Sequence, residues 1–235
     1  MNDESQYFND DYEHARYAYE IEDYKTAYKL FLPLAEQGDA NAQIILGYMF
    51  EDGHGVPQDW KEAVKWFRLS VEQGDEYAQN NLGRMYEGGK GVPQDYKEAV
   101  KWYRLAVEQG DEYAQNNLGS MYSDGLGVPQ DYKEAVKWYR FAAEQGHAIA
   151  QNNLGLMYFN GEGVLQDYKK AVKWYRLAAE QNVASAQNNL GSMYSDGLGV
   201  PQDYKEAFKW WGLAAEQGDE YAQRNLETMH GNSPN

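Results

Sequence analysis

Apolar residues fall at helical spacing along this chain, and the same spacing returns every 36 residues. After Asp75, the residues Ala78, Leu82, Met85 and Tyr86 lie on one side of a 3.6-residue turn. They predict a helix over about 75–86, with Asp75 as its N-cap. The segment GGKGVPQ that follows is broken by glycines and Pro93, and reads as a loop. A second helix is expected from Asp95. Asp95 and Glu98 form a capping-box-like pair, as do Asp59 with Glu62, Asp131 with Glu134 and Asp203 with Glu206. Tyr96, Ala99, Val100 and Tyr103 make its apolar stripe, which Trp102 and Ala106 widen. A wide stripe suits a helix held between its own partner and the next repeat. Gly110 is placed to end the helix at C′, and Asn182, at the equivalent place, also tolerates the left-handed conformation.

The period is strict. Gly47, Gly83, Gly119, Gly155 and Gly191 keep it, as do Met49 through Met229 and Trp66, Trp102, Trp138, Trp174 and Trp210. A repeat this regular means one supersecondary unit copied and stacked into a single domain over 1–235. Full repeats are expected at 39–74, 75–110, 111–146, 147–182 and 183–218. An N-terminal cap pair is read at 1–38, a capping helix at 219–231 and a short tail at 232–235. The cap pair has a helix over about 5–21, then a second beginning at Asp23-Tyr24, in which Pro33 is expected to introduce a bend. A glycine in mid-helix costs about 1 kcal/mol against alanine, so the glycine of each NNLG segment implies that another helix comes close there. Glu227 takes its place in the last copy, where no second helix follows.

These segments resemble the Sel-one-like repeat family, a relative of the tetratricopeptide repeats. The match is carried by Leu82-Gly83 through Met85-Tyr86, Gly89, Gly91-Val92, Asp95-Tyr96, Ala99, Trp102-Tyr103 and Gln109-Gly110, with equivalents in five consecutive copies from about residue 39 to 218. The first pair, with its short inter-helix turn, is more similar to the tetratricopeptide repeat itself. The resemblance implies an all-α, right-handed α/α superhelical solenoid of antiparallel helix pairs, with the first helix of each pair lining the concave face. It also implies an adaptor or scaffold role, mostly in bacteria. Some relatives are secreted and carry a disulfide in each repeat; this chain has no Cys.

The absence of Cys excludes thiolate zinc sites, iron–sulfur clusters and cysteine nucleophiles. The formal net charge of −16 disfavours nucleic acid and anionic membrane surfaces, and would steer in a basic protein or peptide. No signal-peptide pattern and no run of about 18 apolar residues occurs. A cytoplasmic monomer is the expectation.

Comparing the copies with one another separates packing positions from free ones. Leu82, Gly83, Tyr86, Ala99 and Trp102 have near-constant equivalents. Arg84 becomes Ser120, Leu156 and Ser192; Glu87 becomes Ser123, Phe159 and Ser195; Tyr77 becomes Tyr113, Ile149 and Ser185. By the resemblance these face the groove, and the fourth full copy would present Ile149, Leu156 and Phe159 together, an apolar cluster of the kind that marks contact sites. A row of Asn80, Asn116, Asn152 and Asn188 offers donors and acceptors to an extended peptide; the same row is equally compatible with a structural role. The neighbouring row, Asn81, Asn117, Asn153 and Asn189, is expected to bond the inter-repeat loops. The basic residues of the second helix, such as Lys97, Lys101 and Arg104, are expected on the outer face.

Nothing points to catalysis. His14, His54, His147 and His230 fit no metal motif, and the chain lacks S-x-x-K and G-x-S-x-G. The glycine loops lack the lysine of a phosphate loop and the ligand spacing of an EF-hand. No cofactor, metal or catalytic residue is therefore expected. The function that follows is a protein- or peptide-binding scaffold. An immunity-type inhibitor that neutralises a toxin is the alternative, and an enzyme the remote one.

Overall fold

The computed structural model describes residues 4–231, and among them every regular element is an α-helix. The expected tail at 232–235 and residues 1–3 of the cap pair lie outside the described residues. The chain divides into two compact units: one runs to Ala114 and includes Leu126–Val128, and the other takes the residues from Gln115 onward apart from those three.

The first unit holds α1 (Glu4–Glu20), α2 (Tyr24–Glu36), α3 (Ala40–Asp52), α4 (Trp60–Val71), α5 (Glu76–Gly88) and α6 (Tyr96–Glu108). α7 (Glu112–Asp124) begins in it. The second unit continues with the rest of α7, then α8 (Tyr132–Glu144), α9 (Ala148–Asn160), α10 (Tyr168–Glu180), α11 (Ala184–Asp196), α12 (Tyr204–Glu216) and α13 (Glu220–Gly231). Within each unit a helix packs on its neighbours in chain order, as α3 on α4 and α5 on α6, or α9 on α10 and α11 on α12. α2 runs through Pro33 to Glu36 as one helix.

The caps explain the helix starts. Asp75 accepts from Ala78 N at 2.8 Å, and Asp95 accepts from Lys97 N at 2.9 Å and Glu98 N at 3.1 Å. The capping box itself does not close. Asp95 N–H donates to the Tyr86 carbonyl at 2.9 Å, so Glu98 is released to pair with Lys101. The same carbonyl takes the same N–H in the other pairs, from Phe50 to Asp59 and from Tyr194 to Asp203. This bond ties the end of each first helix to the start of the second across the glycine loop. Asn182 adopts φ 67°, as its place at the end of α10 requires.

Each unit is filled by small and aromatic residues. Ala27, Phe31, Leu46, Met49 and Trp66 centre one core of the first unit, and Phe67, Ala78, Leu82 and Met85 another. In the second unit Tyr139, Leu154, Tyr175, Ala178 and Leu190 share one core, and Leu226 and Met229 of α13 pack against Ala207, Trp211 and Ala214. The last helix thus covers the end of the stack with one apolar side, while Glu227 faces out.

Buried glutamines join successive repeats. Gln151 is 4% exposed; it donates to the Ala143 carbonyl at 3.2 Å and accepts from Gln181 at 2.8 Å. Gln43 does the same between Ala35 and Gln73, and Gln187 between Ala179 and Gln217. One side chain therefore gives a second donor to a helix-end carbonyl that a backbone N–H already reaches, as Gly146 N–H does Ala143, and accepts from a side chain of the next helix.

Candidate partner-binding face

On each first helix the variable positions share one side of that helix, as Tyr77, Arg84 and Glu87 do on α5 and Ile149, Leu156 and Phe159 on α9. In the first unit Tyr77 and Tyr113 are each 52% exposed. Glu76 beside it, with partial burial, raises the Tyr77 hydroxyl above the usual phenol range, so the potential there is negative. Arg84 is exposed but held: it donates to Asn81 Oδ1 at 2.9 Å and to Glu51 Oε1 at 3.1 Å. Glu51 is only 6% exposed, so Arg84 neutralises a charge that would otherwise be stranded. Asn81 in turn donates to Tyr48 Oη at 2.7 Å. Tyr103, from α6, donates to Glu87.

In the second unit the two Asn rows bond one another. Asn80, Asn116 and Asn152 are almost entirely buried, and Asn188 is half-buried. Asn153 donates to Asn116 Oδ1 at 3.1 Å, Asn189 to Asn152 at 3.1 Å, and Asn225 to Asn188 at 3.0 Å. Asn153 and Asn189 of the second row thus bond the first row of the repeat before them, not the loops, whereas Asn81 bonds Tyr48. In the first unit Tyr77, Arg84 and Tyr113 are exposed; in the second Ile149 is exposed, and Ser120, Leu156, Phe159 and Ser192 are half-buried.

In the second unit the face changes character. Ile149 is 54% exposed. Leu156 and Phe159 pack against the core around Tyr175 and Leu190, and the Phe159 ring lies 5.5 Å from that of Tyr168. Leu156 and Phe159 line a pocket of about 80 Å³, together with Tyr175, Asn189, Ser192, Met193, Asp196 and Leu198. Ile149 lies outside it. Sequence comparison singled out Leu156, Phe159 and Ser192, but not Tyr175, Asp196 or Leu198, whose importance depends on which residues face one another across α9 and α11.

Tyr175 stands apart from its equivalents. Tyr139 shares a hydrogen bond with Ser120 Oγ at 3.1 Å, Tyr103 donates to Glu87, and Trp211 Nε1 donates to the Asn188 carbonyl at 3.2 Å. Ser120 and Ser123 are replaced by Leu156 and Phe159 in the pair that holds Tyr175. Burial alone pushes its hydroxyl up, with no bonded group acting on it.

The remaining chemistry is sparse. Among the described residues no three His, Asp or Glu side chains gather as a metal site, and no helix is long and apolar enough to cross a membrane. His147 caps α9, accepting from Ala150 N at 3.1 Å, and His54 stacks on Tyr24 with ring centroids 4.1 Å apart.

The Sel1 repeat model matches residues 12–39, 40–75, 76–111, 112–147, 148–183 and 184–219. It thus takes in the first helix pair, read from sequence as closer to the tetratricopeptide repeat, as a sixth copy. No match was found among curated proteins. Among solved structures, the chain is similar to a Sel1 repeat protein from Oxalobacter formigenes, with 35% identity and a TM-score of 0.84, over 92% of this chain and 86% of that one. It is also similar to c5321, described as a protective antigen of uropathogenic Escherichia coli with an SLR fold, with 42% identity and a TM-score of 0.78, over 85% of this chain. It spans only 43% of the length of that relative. The immunity protein PA5088 of Pseudomonas aeruginosa matches at 25% identity with a TM-score of 0.54, over 78% of this chain and 66% of that one. With six matched repeats covering most of its length, the chain belongs to the Sel1 repeat family.

Proposed function

We propose that this chain is a non-enzymatic scaffold that holds a protein partner on the face formed by its first helices. Family membership supports the binding class, since Sel1 repeats generally serve protein interaction. The observation that carries the placement is that on each first helix the positions differing between copies share one side of that helix, and that in the fourth full copy two of them, Leu156 and Phe159, line a pocket. The second helices offer a poorer surface. Their lysines pair with a glutamate one turn back, as Lys65 with Glu62 and Lys137 with Glu134, and that pattern repeats with little variation. Tyr77, Arg84, Tyr113, Ser120, Ile149, Leu156, Phe159 and Ser192 are the residues that would touch the partner; Asn80, Asn116, Asn152 and Asn188 would support the face from below.

A photo-crosslinking amino acid placed at Tyr77, Ser120 or Ile149, against controls at Lys101 and Lys137, tests this in lysate of the source cells. Specific protein adducts from the first set and none from the second are expected. Adducts only from the second set would move the interface to the outer helices. The likeness to PA5088 supports a second reading, a toxin-neutralising inhibitor; it requires that the crosslinked protein be a toxin whose activity is lost on one-to-one binding.

A further inference from the structure

The pocket between α9 and α11 has two kinds of wall. Leu156, Phe159, Met193 and Leu198 supply its apolar lining, and Asn189, Ser192 and Asp196 its polar lining. An apolar cavity of ~150 Å³ accepts a benzene molecule, so a pocket of about 80 Å³ takes a single aliphatic side chain of valine-to-leucine size. Asp196 is exposed at its edge and is engaged in no ion pair among the described residues.

A second observation points to a ligand. Tyr175 is 2% exposed and lines this pocket. Its hydroxyl has no hydrogen-bond partner among the described residues, whereas those of Tyr103 and Tyr139 do. The oxygen is not among the enclosed side-chain atoms that lack a partner; it opens on the pocket that Tyr175 lines, where a ligand group can take its hydrogen bond in place of water. The partner was lost by the same substitutions that made the pocket apolar, Leu156 and Phe159 where the previous copy has Ser120 and Ser123.

The geometry points to a linear segment of the partner protein as the occupant, one that inserts an aliphatic side chain between Leu156, Phe159 and Met193, offers a backbone carbonyl to the Tyr175 hydroxyl, and sets an adjacent lysine or arginine against Asp196. Charge favours this occupant: the chain carries −16 overall, which draws a basic segment and repels an acidic one. An apolar anchor seated in a pocket with a cation at its rim is how a short segment gains affinity from few contacts. This assignment rests on the scaffold reading and names its partner's chemistry.

A displayed library of random linear peptides, selected on the full chain, tests it. Enriched sequences should share Val, Leu or Met beside Lys or Arg. Asp196→Lys should turn the selected charge to Asp or Glu. Tyr175→Phe should weaken the enriched peptides about three- to tenfold while leaving the melting temperature in place, and Leu156→Glu, checked for retained helicity, should abolish them. The assignment is overturned if no peptide is enriched, if the enriched peptides lack the aliphatic–basic pair, or if they bind Tyr175→Phe and Leu156→Glu as well as the native chain. The crosslinking experiment separates the two readings: adducts at Tyr77 or Ser120 with a failed selection would overturn the pocket alone, and failure of both would overturn the scaffold as well.

Discussion

A Cβ on Gly119 would lie 2.7 Å from Cδ1 and 2.8 Å from Cε1 of Tyr139. The two helices of this repeat meet with an aromatic ring laid directly on a glycine, closer than any other residue permits. The relationship recurs between Gly155 and Tyr175 and between Gly191 and Trp211.

Gly119→Ala would gain about 1 kcal/mol of helix propensity, yet overpacking a closed contact costs about 1–3 kcal/mol. The tyrosine ring is held by its own bond to Ser120 and cannot step aside. A net loss of up to about 2 kcal/mol is expected in denaturant unfolding, and Gly119→Leu should lose more. Gly212 is the internal control: it lies in α12 with nothing within 4 Å of a Cβ, so Gly212→Ala should stabilise by about 0.5–1 kcal/mol. A loss at Gly212 or a gain at Gly119 would break the argument.

The glutamine ties predict an asymmetry. Gln151 is buried and serves both Ala143 and Gln181, whereas Gln181 is exposed. Gln151→Ala removes the second donor to a carbonyl that Gly146 N–H still reaches, takes away the acceptor of Gln181 and leaves a cavity, and should cost about 1–3 kcal/mol. Gln181→Ala removes a donor that water can replace on an open surface, and should cost under about 1 kcal/mol. Equal losses in the two unfolding curves would mean that the tie contributes nothing specific.

These glutamines also show where sequence reading stops. The helix pairs, the caps at Asp75 and Asp95, and the glycine contact were all legible, because helical periodicity, capping and glycine each have a local signature. Gln151 has none: it reads as a polar surface residue, and its burial follows only from how consecutive repeats stack. The same holds for Asn152, whose sequence left a partner contact and a structural role equally open, and which accepts from Asn189. Leu156 and Phe159 were visible as departures from their own repeat. That they remove the bonding partner of Tyr175 could have been read by following Ser120 and Ser123 from copy to copy, but only with the knowledge that Tyr139 meets Ser120.

Asp111 should make stability depend on pH. It caps α7 through Ala114 N, but it is 5% exposed and its other oxygen, Oδ2, is buried without a partner. Burial first, and then the charges of Glu112 and Glu76, push its carboxyl up to about 6. A folded-state pKa above the unfolded value means that the folded protein holds its proton longer. The contribution is therefore unfavourable above pH about 6 and is relieved as the pH falls from about 6 to about 4. Its ceiling is about 3 kcal/mol, from 1.36 kcal/mol for each unit. Asp111→Asn keeps an oxygen for the cap and removes the charge. It should raise stability at pH 7 and flatten this part of the profile. Chemical denaturation across pH 4–7 checks it, and a variant less stable at pH 7 with an unchanged profile would show that the buried charge is not the cause.

Two tyrosines in equivalent places should respond differently to loss of their hydroxyl. Tyr139 and Tyr175 each lie under a helix glycine and are each nearly fully buried. Tyr139 shares a hydrogen bond with Ser120 at 3.1 Å, so Tyr139→Phe should cost about 1 kcal/mol and leave the serine to solvent. The Tyr175 hydroxyl has no bond to lose among the described residues, and it opens on the pocket instead of being enclosed. Tyr175→Phe should therefore fall within about 0.5 kcal/mol of the parent or slightly above it. Thermal and denaturant unfolding of the two variants, side by side, decide the point. Equal losses would mean that the Tyr175 hydroxyl is already satisfied in the folded chain, and that it is not held in reserve for a partner.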